Sequence, residues 1–142
     1  MTTLRGPAFP FRFDPETGGV RVAEGPEKIR DNLVHILLTD LGERVMRRDW
    51  GAGVRQMLHD PVNPMLLSVV RHQIVKAIAR AEPRVEVTEV RLEAVRPGAS
   101  SSRVATQGSE VVGETVVAEI DFVIRRTGQP VSLSVPVGLG VR

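Results

Sequence analysis

Three histidines, seventeen carboxylates and no cysteine are the chain's material for chemistry. His35, His59 and His72 stand at no metal-ligand spacing, and no His-Glu-x-x-His pattern occurs. A metal site needs convergent ligands, so each reads as a surface histidine and no metal is expected. The missing cysteine removes disulfides, thiolate sites and a thiol nucleophile. Gly51-x-Gly53 and Gly138-x-Gly140 lack the next glycine and the strand-to-helix setting of a dinucleotide loop, so no cofactor is expected. Ser100-Ser101-Ser102 has no nucleophile elbow around it. Sugar hydrolysis needs two carboxylates across a cleft, one with a raised pKa. Glu43, Asp49 and Glu82 are the acids least obviously solvated by their sequence setting. Each has an arginine close by, which pushes a carboxyl pKa down, the wrong way for a general acid. No catalytic residue is assigned.

Two other constellations stand out. The first is Thr39-x-x-Gly42-Glu43-Arg44, followed shortly by Trp50-Gly51. Its plain reading is a helix stop, an ion pair and a packed aromatic at a turn. The second is Glu82-Pro83-Arg84. Its plain reading is a helix terminator with flanking charges. Its functional reading is a rigid corner, in which proline fixes the backbone and Arg84 presents a planar fork of donors. Such a fork suits a helix-terminal carbonyl cluster or a partner's carboxylate.

The elements that position these groups follow from periodicity. Phe9, Phe11 and Phe13 alternate with Pro10 and Arg12, a half-buried strand pattern. The turn formers from Asp14 to Gly19 lead back into Val20-Arg21-Val22, which predicts a hairpin. Pro26 opens a helix, Ile29, Leu33, Ile36 and Leu37 form its apolar stripe, and Gly42 is its expected stop. Asn63-Pro64 starts a second helix, with Leu66, Val69, Val70, Ile74, Ala77 and Ile78 on its stripe, and Pro83 ends it. The alternation of Val85 and Val87 changes phase before Val90 and Leu92, which predicts a β-bulge near Thr88-Glu89. Val112, Val116, Ala118, Ile120, Phe122 and Ile124 line a long strand. Val131, Leu133, Val135 and Val137 line a last one, whose edge can pair with another chain. The predicted fold is α+β: two amphipathic helices on one face of a mainly antiparallel sheet, with an N-terminal hairpin and a C-terminal three-strand meander.

The 142 residues fit a single domain, 1–142, able to bury its own core. Residues 1–8 read as a flexible N-terminus and residues 97–110, rich in Ser and Gly, as a mobile loop. The net charge is only +2 and the arginines are scattered among acids, so no basic stripe argues for nucleic acid. No apolar run reaches the roughly 18 residues of a membrane span, and Met1 to Pro10 has no signal-peptide core. Synthesis in the cytoplasm, with no membrane insertion, is the expectation.

Phe9-Pro10-Phe11, Thr39-x-x-Gly42-Glu43-Arg44, Trp50-Gly51 and Glu82-Pro83-Arg84 before a valine-rich strand occur in a fixed order. This ordered set resembles the baseplate wedge and sheath-initiator family of contractile phage tails, injection particles and type VI secretion. The likeness runs from about Phe9 to Val95 and more weakly through the last two strands. The resemblance implies a structural, non-enzymatic subunit, present in several copies in a six-fold baseplate. It implies that Glu82, Pro83 and Arg84 dock on the helical core bundle of larger wedge proteins. It implies that sheath subunits pair with the last strand by β-augmentation, with tube or hub proteins nearby. The family has also carried a lysozyme-like label, so a baseplate-associated peptidoglycan hydrolase is the alternative. The 97–110 loop is longer than a minimal family member needs.

Overall fold

A computed structural model describes residues 4–58, 63–95 and 115–137. Eight elements follow in order: β1 (Arg5–Pro7), β2 (Val22–Glu24), α1 (Gly25–Leu38), α2 (Val54–Met57), α3 (Pro64–Ala81), β3 (Val85–Val95), β4 (Thr115–Ile124) and β5 (Gln129–Pro136). The expected 97–110 loop and the 138–142 tail lie outside the described residues, as do Val112 and His59.

The architecture is α+β. β1 and β2 form a small antiparallel pair, and β3-β4-β5 form an antiparallel meander. α1 and α3 lie on one face of that meander. Leu33, Ile36 and Leu37 of α1 and Val70, Ile74 and Ile78 of α3 meet Ala118, Ile120 and Phe122 of β4 in one core. α1 starts with Pro26 in its first turn and no side-chain cap. A missing cap costs about 1 kcal/mol, while each of its four buried aliphatics stabilises by roughly 1.5–3 kcal/mol. Packing therefore decides that helix. α3 has both devices: Asn63 accepts from the Leu66 N–H at 2.8 Å, and Pro64 follows.

Several expectations change in detail. The hairpin's paired strands lie outside the phenylalanines, at Arg5–Pro7 and Val22–Glu24, so the expected flexible stretch 1–8 gives way to a strand over part of its length. Phe13 keeps a single bridge to Val20, and Phe11 and Phe13 are largely exposed. The alternation misled because the described residues leave Phe11 and Phe13 largely uncovered. α1 stops at Leu38, before Gly42, where the Thr39 hydroxyl donates back to the His35 carbonyl at 2.6 Å. A one-turn helix, α2, carries Val54 and Met57 and is capped by Leu58. On α3, Val69 is about half exposed, so its buried stripe is narrower than predicted. The bulge is present: pairing passes from Val87↔Phe122 to Glu89↔Asp121, skipping Thr88, whose hydroxyl donates to the Asp121 carbonyl at 2.9 Å.

Candidate functional site

The corner between α3 and β3 is built around a buried carboxylate. Glu82 is the C-cap residue of α3, and its N–H donates to the Ile78 carbonyl at 2.8 Å. Its side chain is 2% exposed. Pro83 turns the chain outward, and Arg84 folds back so that its Nε donates to one Glu82 oxygen at 2.5 Å and its Nη2 to the other at 2.7 Å. Asn32, from α1, donates to the second oxygen at 3.1 Å. Burial pulls the Glu82 pKa upward, but hydrogen bonds from Arg84 and Asn32 and the Arg84 charge outweigh it, leaving the carboxyl below its usual range. The hydrogen bond to Glu82 holds Arg84 above its usual value against burial.

This changes the expected role of Arg84. Two of its five N–H donors serve Glu82, so the fork does not face a partner whole. The Arg84 side chain as a whole remains about half exposed. Of the three acids singled out, only Glu82 is buried. Glu43 is exposed and accepts from the Asp40 N–H at 2.9 Å, and exposed Asp49 pairs with Arg47 at 3.5 Å.

The corner opens onto a cleft of about 870 Å³. Leu4, Pro26, Ile29, Pro83 and Ile124 give it apolar walls, and Arg5, Arg84, Arg125 and Arg126 stand around them. Arg5 is held by Glu24 at 3.1 Å and Arg125 reaches Glu86 at 3.9 Å. Arg126 has no ion pair among the described residues. Pattern reading missed Arg5, Asn32, Arg125 and Arg126. The Arg125-Arg126 doublet beside a predicted turn was the one available signal; nothing in the sequence links Asn32 to Glu82, 50 residues away.

The first constellation forms a folded loop at the end of α1. The Ala52 N–H donates to the Ile36 carbonyl at 3.0 Å, which satisfies a helix-terminal acceptor. Gly51, at φ +112°, lies against the Thr39 carbonyl. Arg44 sits 4.5 Å above the Trp50 ring, His35 meets that ring edge-on at 4.9 Å, and Phe9 stacks on His35 at 5.3 Å. Burial, then the charges of Arg44 and Lys28, hold His35 below its ordinary pKa, with Glu43 pulling the other way. The Phe9 N–H also donates to Asp31 at 3.0 Å, and Lys28 of α1 donates to the Pro7 carbonyl at 2.6 Å, so several contacts tie the hairpin to α1. Among the described residues no group of acids and histidines is placed to hold a metal, and no helix is long and apolar enough to cross a membrane.

The chain belongs to the family described as baseplate wedge protein gp25, which it matches over residues 23–127. It is 30% identical to baseplate protein W of Escherichia phage P2 over 111 residues, covering 78% of this chain and 83% of that one. Among solved structures it is similar to a chain of the six-fold symmetrised baseplate of the anti-feeding prophage. There the TM-score is 0.67 and the identity 27%, over 87% of this chain and 86% of that one. A protein of Geobacter sulfurreducens described as a candidate tail lysozyme is also similar, with TM-score 0.60 and 27% identity over 78% and 86% of the two chains.

Proposed function

We propose that this chain is a structural wedge subunit that docks on the helical core bundle of larger wedge proteins through the Glu82-Pro83-Arg84 corner and receives the first sheath strand on β5. The observation that carries the docking half is the cleft at that corner: apolar walls with arginines around them suit a helical partner bearing both apolar side chains and carboxylates. In this reading several copies sit in a six-fold assembly, near tube or hub proteins, like the anti-feeding prophage chain in its symmetrised baseplate.

Arg126 gives the cleanest test, because reversing its charge leaves the Glu82–Arg84 pair whole. Arg126→Glu is expected to weaken association with the wedge by about tenfold, about 1.4 kcal/mol, without changing the melting temperature of the isolated chain. Pull-down of the larger wedge proteins from co-expressing cells reads this directly. Wild-type recovery would remove the cleft from the docking surface.

A hydrolase reading draws on the Geobacter likeness. Against it stands Glu82, whose ion pair lowers its pKa where a general acid needs it raised. Purified chain incubated with peptidoglycan at mildly acidic pH is expected to release no soluble fragments; release that Glu82→Gln abolishes would reverse this ranking.

A further inference from the structure

The two edges of the meander differ. In an antiparallel ladder, successive residues point their N–H and C=O groups alternately toward one neighbour and the other. The Val137 N–H donates to the Val116 carbonyl, and the Arg125 N–H to the Arg84 carbonyl. With the pairing of each strand, these bonds fix the alternation. On β4, Val116, Ala118, Ile120, Phe122 and Ile124 bond toward β5, and the residues between them bond toward β3. The outward groups on β5 therefore belong to Pro130, Ser132, Ser134 and Pro136. Those on β3 belong to Val85, Val87, Val90 and their successors in the same phase.

The outward carbonyls of β3 are already taken at two points. Arg71 of α3 donates from Nε to the Val90 carbonyl at 2.9 Å. Arg125 donates from Nε to the Val85 carbonyl at 3.4 Å. The Thr88 bulge falls between them and breaks the straight run a new strand would need. Among the described residues β5 has no such side-chain cover and no strand lies beyond it. Its outward donors are nevertheless few. Pro130 and Pro136 have no N–H, so only Ser132 and Ser134 can both give and accept. Both serines are exposed.

We infer that the domain accepts one added strand, on β5 alone, in a register set by the Ser132–Ser134 window between two prolines, while Arg71 and Arg125 close the β3 edge. The occupant is an extended segment of a sheath subunit, free of proline over about four residues, which exchanges backbone bonds with Ser132 and Ser134. An incoming strand shifted by two residues would set a donor-seeking carbonyl against a proline, losing at least one bond. The window thus specifies alignment with few bonds, and the guarded edge keeps copies from joining through β3. This inference rests on the sheath-templating half of the proposed function.

Deleting β5 would remove buried Leu133 and Val135, so single-residue changes are the sharper probes. Ser134→Pro removes one outward donor that makes no bond within the fold. Particles assembled with this full-length variant are expected to contain the subunit but show at least tenfold fewer sheathed baseplates by electron microscopy. Ser134→Ala, which keeps the N–H, is expected to sheath normally. Normal sheaths on Ser134→Pro particles would overturn the window. Cross-linking of wild-type particles, read by mass spectrometry, separates this from the parent reading. Links to the sheath subunit together with normal Ser134→Pro sheaths reject only the window; no links at all reject sheath templating. Two further variants need no particle and should fold, since one pair adds exposed donors and the other trims a surface side chain. Pro130→Ser with Pro136→Ser, and separately Arg71→Met, are each expected to raise self-association of the purified chain at least tenfold in sedimentation velocity. Sedimentation like the wild type would overturn the roles given to the prolines and to Arg71.

Discussion

Replacing Arg84 by alanine is expected to destabilise the isolated domain by about 2–4 kcal/mol, as well as harming docking. Removing one member of a buried pair costs roughly 3–5 kcal/mol, because the other charge is left without compensation. The lower figure applies here, since Arg84 is about half exposed and water can partly replace it. Without the Arg84 side chain, Glu82 keeps the Asn32 donor and the backbone bond from residue 84 but loses the charged fork. Urea unfolding at neutral pH reads the loss as a lower midpoint. The effect has a definite pH dependence. Glu82 titrates below its usual range in the folded chain, so the pair's contribution is complete above the unfolded carboxyl pKa of about 4.3. It fades as the pH falls through the lower folded value, where wild type and variant should converge. A constant gap down to strongly acidic pH would mean that Arg84 stabilises by packing instead. The consequence for function tests is direct: loss of assembly in Arg84→Ala does not separate docking from folding, whereas Arg126→Glu does.

Gly51→Ala is expected to cost about 2–4 kcal/mol, from left-handed backbone strain of about 1–3 kcal/mol plus displacement of a packed loop. A Cβ on Gly51 would lie 2.6 Å from the Thr39 carbonyl oxygen and 3.3 Å from that of Asp40, and both are backbone atoms that cannot swing aside. Gly42 provides the internal comparison. It also has positive φ, +84°, but open space around it. Gly42→Ala should therefore cost only the conformational part, about 1–2 kcal/mol. Thermal melts of the two variants check the ordering. Equal losses would show that close approach at Gly51 contributes nothing beyond its dihedral angle.

The helices and the meander were legible because burial writes its period into the chain. Leu33, Ile36 and Leu37, or Ile120, Phe122 and Ile124, lie one turn or two residues apart, as their faces require. The bulge was legible for the same reason: Val87 and Val90 cannot share a face without an extra residue. The hairpin was misplaced because Phe9, Phe11 and Phe13 alternate as a buried strand does, while Phe11 and Phe13 remain largely on the surface. Exposure of large apolar side chains leaves no mark in a period. At the corner, the sequence placed Glu82, Pro83 and Arg84 together but did not tell that Glu82 is buried or that it takes the Arg84 fork. Arg5, Asn32 and Arg126 come from distant segments, and no local pattern announces a convergence made by packing. The two edges of the sheet were the least legible of all. Pro130 and Pro136 are plain in the sequence, but which way their backbone groups point depends on the pairing partner.

Trp50 is the chain's single tryptophan, and there is no tyrosine. Its indole is bracketed by the Arg44 guanidinium and the His35 imidazole, at the place where the Thr39–Gly53 loop closes on α1. Ultraviolet emission excited at long wavelength therefore comes from one ring at one joint. The domain carries its own optical reporter, one that registers movement of that loop while the distant β5 edge stays dark.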